Sequence, residues 1–133
     1  MANDYEVSID IDAPPDAVWE VVGDPVGIPR WYTTYVECEA EGDVRRLRRA
    51  DGGELVERLL ERDEAGRSYA YEIVSGVPLT GHRASFEVRP QGGGSRVIWR
   101  TRGEPVDGSD LEARLAPRQL EALGSLKALI EAG

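Results

Sequence analysis

Tyr5-Glu6-Val7-Ser8-Ile9-Asp10-Ile11, then Asp12-Ala13-Pro14-Pro15-Asp16-Ala17-Val18-Trp19, then after a short gap Ile28-Pro29-Arg30-Trp31-Tyr32: this opening decides the fold. Tyr5, Val7, Ile9 and Ile11 alternate with polar residues, the period of a strand with one buried face. Pro14 and Pro15 suit a helix start, where a missing N–H costs nothing. Val18, Trp19 and Val22 give that helix one apolar face, and Gly23-Asp24-Pro25 ends it. Gly27 to Trp31 reads as a second short helix or turn. One strand followed by two short helices leaves everything up to about residue 105 for a sheet.

The middle of the chain carries strand signals joined by tight turns. The expected strands are Thr33–Glu39, Val44–Arg49, Leu55–Arg62, Ser68–Val74, His82–Arg89 and Arg96–Arg102. Asp51-Gly52-Gly53 is a hairpin turn by composition. Ser75 to Gly81, with Pro78 in it, reads as a loop that can act as an entrance flap. The tail is helical: Ser109 and Glu112 stand at capping-box spacing. Leu111, Leu115, Leu120, Leu123, Leu126 and Ile130 are its apolar residues, and Pro117 is expected to kink or restart it. The whole predicts an α+β domain spanning 1–133, with seven antiparallel strands curling around the apolar face of the last helix.

Composition narrows the function. A net charge of −9 over 133 residues argues against nucleic acid, which is bound by neutralising phosphates. No apolar run reaches the roughly 20 residues that span a bilayer, so no stable membrane insertion is expected. The first residues lack a basic, then apolar, secretory pattern. Cys38 stands alone and reads as a buried small hydrophobe, which together with the missing signal points to a cytoplasmic protein. One histidine and one cysteine do not make a usual zinc site, and phosphate-loop, dinucleotide and Gly-x-Ser-x-Gly patterns are absent. The expectation is no metal and no cofactor. An exposed sheet edge leaves monomer or homodimer open.

Strand parity selects the residues facing the concave side. If Leu47 points inward, so do Arg45 and Arg49, with Arg46 and Arg48 in solvent. A three-residue turn at Asp51–Gly53 would set Leu47 opposite Glu57, so Leu55, Glu57 and Leu59 share that face, and Tyr69, Tyr71 and Ile73 join them. His82, Ala84, Phe86 and Val88 form one face of the next strand, as do Val97, Trp99 and Thr101. A one-residue slip would invert any of these assignments. The result is an apolar pocket with a few polar groups, the usual make-up of a small-molecule site. Trp31, Trp99, Phe86, Leu123 and Pro78 shape its walls and mouth; Arg49, Leu59, Tyr69, Tyr71 and Thr101 complete the ligand-binding set.

Glu57, His82 and Arg45 are the candidates for catalysis. Glu57 and Arg45 read either as an ion pair kept inside the sheet or as ligand contacts. His82, with an ordinary pKa of about 6.5, suits acid–base work, or is simply a hydrogen-bonded strand residue.

The element order resembles the helix-grip superfamily of START domains, the birch-pollen allergen type and bacterial polyketide cyclase/dehydrase-like proteins. Ile11 to Trp19, Pro29-Arg30-Trp31, Val44-Arg45, and Asp51-Gly52-Gly53 leading to Glu57-Arg58-Leu59-Leu60 resemble the last group most. Tyr69 to Ile73 and Val97-Ile98-Trp99 extend the likeness to about residue 105. Plant abscisic-acid receptors show a similar run from Glu57 through Arg83, and there the glutamate at Glu57's place faces the ligand. The resemblance implies a cofactor-independent cyclase, aromatase or dehydratase acting on a polyketide-like apolar, oxygenated metabolite by proton transfer. It also fits a non-catalytic binder, carrier or sequestering protein for a hydrophobic ligand, and, less directly, a ligand-gated protein–protein module.

Overall fold

The computed structural model describes residues 3–133. Strand β1 (Asn3–Ile11) leads to helix α1 (Pro15–Val22), a 3₁₀ turn (Ile28–Arg30) and strands β2 (Tyr35–Glu41), β3 (Val44–Arg49), β4 (Glu54–Asp63), β5 (Ser68–Ser75), β6 (Leu79–Gln91) and β7 (Gly94–Pro105). Helix α2 (Leu111–Ala132) closes the chain. The strands form one antiparallel sheet in the order β1-β7-β6-β5-β4-β3-β2. The chain therefore runs as a meander from β2 to β7 and brings β7 back beside β1. This is the helix-grip architecture, a curved sheet wrapped on a long C-terminal helix.

The parity reading of the inner face agrees with burial: Val7, Ile11, Leu47, Leu55, Tyr69, Tyr71, Ala84, Phe86, Val88, Val97 and Trp99 are all buried. The β3–β4 register differs by two residues from the expected one. Arg49 N–H donates to the Gly53 carbonyl at 2.8 Å, so the hairpin closes one position tighter on each strand, and Leu47 lies opposite Leu55 and Arg45 opposite Glu57. A shift of two keeps every side chain on its face. Along β4 a bulge sets Leu60 and Glu61 against Ala70, so beyond it Arg62, rather than Glu61, lies opposite Tyr69. The Arg62 guanidinium stacks 4.8 Å over the Trp19 ring and donates to the Gly23 carbonyl, fastening α1 to the sheet.

Three expectations for the last helix are corrected. Asp110 caps it, accepting from the Glu112 and Ala113 N–H groups, while the Ser109 hydroxyl is engaged by Asp107. Pro117 lies inside an unbroken helix; in the second turn it deprives only the Ala113 carbonyl of its i→i−4 donor. Leu120 is 49% exposed, because it stands nine residues, two and a half turns, from Leu111 and so on the opposite face. Leu111, Ala116, Gln119, Ala122, Leu123 and Leu126 form the buried stripe.

Candidate functional site

The interior is not filled evenly. At the α1 end, Trp31, Phe86 and Trp99 pack edge to face or tilted, with ring centroids 5.6, 6.1 and 4.6 Å apart, a geometry that adds to their area burial. At the other end, between the β5–β6 turn and the first turns of α2, a cavity of about 150 Å³ remains. Glu57, Tyr71, Pro78, His82 and Trp99 of the expected site lie on its wall. The remaining expected residues do not. Trp31, Phe86, Tyr69 and Leu123 are packed into the core cluster. Leu59 is only partly buried against that cluster, beside the β4 bulge. Arg49 turns back over its own hairpin toward Asp51 at 3.5 Å. Thr101 is buried and accepts from Gln119. Cys38, half-buried, points its sulfur at the Pro25 carbonyl.

Arg45 lies behind the wall as the support of Glu57. Its side chain is fully buried, with Nε donating to Glu57 Oε1 at 2.7 Å and Nη1 donating to the Pro25 carbonyl at 2.8 Å and the Tyr69 hydroxyl at 3.2 Å. Nη2 also comes within 2.7 Å of Oε1 but off the hydrogen-bonding direction, and it has no hydrogen-bond partner. The guanidinium sits 4.9 Å over the Tyr71 ring and 5.7 Å from that of Tyr69, a cation–π contribution that helps hold an arginine away from water. Burial pushes the Glu57 carboxyl above the usual range, against the pull of Arg45 in the other direction. Arg45 engages one carboxylate oxygen only; among the described residues no hydrogen bond reaches Oε2.

His82 owes its orientation to a bulge. Gly81 adopts φ +61°, and Gly81 and His82 together face the single residue Gly103 on β7, the glycine-first bulge that re-aims the next side chain. The β5–β6 backbone ladder ends at Tyr71–Ala84, and the His82 side chain takes the next place: its Nδ1 accepts the Ile73 N–H at 3.0 Å. The proton of the neutral ring therefore sits on Nε2, which makes that nitrogen a donor. Burial pulls the pKa down to about 4, with Glu72 opposing weakly, in place of the ordinary value expected from sequence. Glu57 and His82 flank Ile73 from β4 and β6, which sets them two strand spacings, roughly 10 Å, apart.

Apart from Tyr71, the other polar lining was not legible from strand parity. Gln119 is buried on α2; its Oε1 accepts from the Tyr5 hydroxyl at 2.7 Å and its Nε2 donates to Thr101 at 3.1 Å. This fixes the amide so that its second N–H remains available at the cavity it lines. Tyr71 accepts from Trp99 Nε1 at 2.9 Å and keeps its own hydroxyl proton. Tyr32, Tyr35, Arg114 and Arg118 complete the polar rim. Leu111, Arg114, Leu115 and Arg118 follow i, i+3, i+4, i+7 spacing, a signal that a leucine-only reading of the helix passes over. Among the described residues no group of His, Cys, Asp or Glu is placed to hold a metal ion, and no helix is long and apolar enough to cross a membrane.

Comparison with known proteins agrees with this architecture. The family profile described as "Polyketide cyclase / dehydrase and lipid transport" matches residues 3–131. No curated protein matches in sequence. Among solved structures, the XoxI protein of Bacillus cereus shares 26% identity at a TM-score of 0.89, covering 96% of this chain and 95% of that one. The Zhui aromatase/cyclase of a Streptomyces shares 19% at a TM-score of 0.83, covering 98% and 94%. Ara h 8.0201 shares 13% at a TM-score of 0.79, with both chains covered in full, 100% each. The last two likenesses are of fold alone.

Proposed function

Because the chain belongs to the polyketide cyclase/dehydrase and lipid transport family, we propose that its cavity takes a small apolar, oxygenated molecule and that Glu57 moves a proton on it. The reaction class is that of a cofactor-independent cyclase or dehydratase. One observation supports this most: a buried carboxylate with raised pKa and one open oxygen shares the cavity with a neutral imidazole fixed as a donor. Paired groups whose environments push them into opposite roles are the pattern of proton abstraction beside a carbonyl.

In that chemistry Glu57 Oε2 takes the proton from the carbon next to a ligand carbonyl. The C–H electrons become the enolate, whose oxygen accepts from His82 Nε2–H. The enolate carbon attacks a second carbonyl of the same molecule, and the Glu57 carboxyl returns its proton to the new alkoxide. Arg45 stays charged throughout and favours the ionised form of Glu57 against the pull of burial. A space of about 150 Å³ holds roughly one aromatic ring, so this conformation suits a small substrate.

Native mass spectrometry of the purified protein, then thermal-shift screening of small diketones, phenols and fatty acids, finds the ligand. Glu57→Gln, checked for folding by circular dichroism, then tests the chemistry. Loss of turnover with affinity retained is the expected result; a wild-type protein that binds but never turns over a diketone refutes it. The carrier reading would then stand, and Arg45's existing hold on Glu57 Oε1 is the observation in its favour.

A further inference from the structure

Resting on the reading that the cavity holds a small molecule, the charges at its mouth narrow the class of ligand. Arg114 and Arg118 line the cavity and also line the adjoining surface groove with Tyr32, Pro117 and Glu121. They thus stand on the threshold between the two spaces. Both side chains are exposed. Arg114 Nη1 donates to the Ser109 hydroxyl at 3.2 Å and to the two Asp107 carboxylate oxygens at 3.5 and 3.4 Å, exposed contacts worth little in solvent, and Arg118 has no ion-pair partner among the described residues. Glu121, the one carboxylate of the groove, is in salt-bridge contact with neither.

The two arginines are at i, i+4 on α2, where like charges repel modestly. An anion between them removes that repulsion. They also oppose the rest of the molecule, whose net charge of −9 disfavours an approaching anion. Inward of them on the same helix face come Leu111 and Leu115. Apolar wall behind a cationic rim fits an amphiphile.

We propose that the ligand is an apolar acid, bound with its carboxylate at the mouth between Arg114 and Arg118 and its hydrocarbon body inward. Its carboxylate meets guanidinium N–H donors, and any carbonyl along its body meets donors from Gln119 and His82.

The test compares 3-phenylpropanoate with 3-phenylpropanamide, equal in shape and different in charge. Affinities are measured by titration calorimetry and ligand-observed NMR for wild type, Arg118→Gln and the Arg114→Gln/Arg118→Gln double variant; both side chains are exposed, so folding is not at stake. Wild type is expected to favour the carboxylate by about five- to tenfold. That preference falls to parity in the double variant and shrinks at about 0.5 M salt, the acid losing more affinity than the amide in both cases. Equal binding of acid and amide by wild type, or a preference surviving in the double variant, overturns the proposal and leaves the cavity reading standing. Binding of neither overturns the cavity reading and this inference with it.

Discussion

His82 should make this protein lose stability in mild acid. Its folded pKa lies near 4 against an ordinary 6.5, so between those values the unfolded chain binds a proton that the folded one refuses, and stability falls as pH drops from 6.5 through 4. The limit is the full shift at 1.36 kcal/mol per unit, about 3.4 kcal/mol. Between about pH 7.5 and pH 5 the linkage relation gives about 2 kcal/mol. His82 is only 9% exposed, so solvent screening takes little from this. The cause is geometric as well as dielectric, since a proton on Nδ1 would point at the Ile73 N–H. His82→Asn is the control, because its side-chain oxygen can still accept from Ile73 while it cannot titrate. Urea unfolding of both proteins at the two pH values subtracts the carboxylates they share, including Glu57, whose raised pKa acts in the opposite sense. Wild type should lose about 2 kcal/mol more than the variant. Equal losses, within about 0.5 kcal/mol, the usual limit of additivity, refute the assignment of His82 as a buried neutral acceptor.

Three other perturbations follow from the same packing. Glu57→Gln strands the Arg45 cation at 0% exposure and should cost roughly 3 kcal/mol in chemical denaturation, whereas Arg45→Met with Glu57→Leu should recover most of it; a single variant as stable as wild type would show the pair to be dispensable. Leu123→Ala should cost about 2–5 kcal/mol and Leu120→Ala less than about 0.5, because the first is fully buried and the second half exposed; equal thermal shifts would contradict the helix register. Gly76→Ala meets φ +108° and a Cβ only 2.3 Å from the Glu54 carbonyl oxygen. It should destabilise by more than about 1–3 kcal/mol, and a neutral melting temperature would mean that the β5–β6 turn yields.

The chain's own pattern determined the architecture. Period-two alternation in β1, glycine-marked turns, the double proline at α1 and an apolar stripe in α2 are local signals that each demand a partner surface, and one arrangement supplies them all. It also determined which strand faces look inward, because a register error of two residues, as at Leu47–Leu55, leaves parity intact. Tertiary structure alone decided which inward residues meet empty space. Tyr69 and Phe86 obey the same parity as Tyr71 and His82, yet the Trp31–Trp99 cluster fills their end of the sheet. The role of His82 was likewise out of reach, since it depends on a bulge that replaces a ladder hydrogen bond with an imidazole nitrogen. Gln119, Arg114 and Arg118 belong to the site only because α2 brings them across the mouth of the sheet. Periodicity reports which side of an element is buried; whether that side meets packed atoms or a cavity depends on volumes summed over residues distant in sequence.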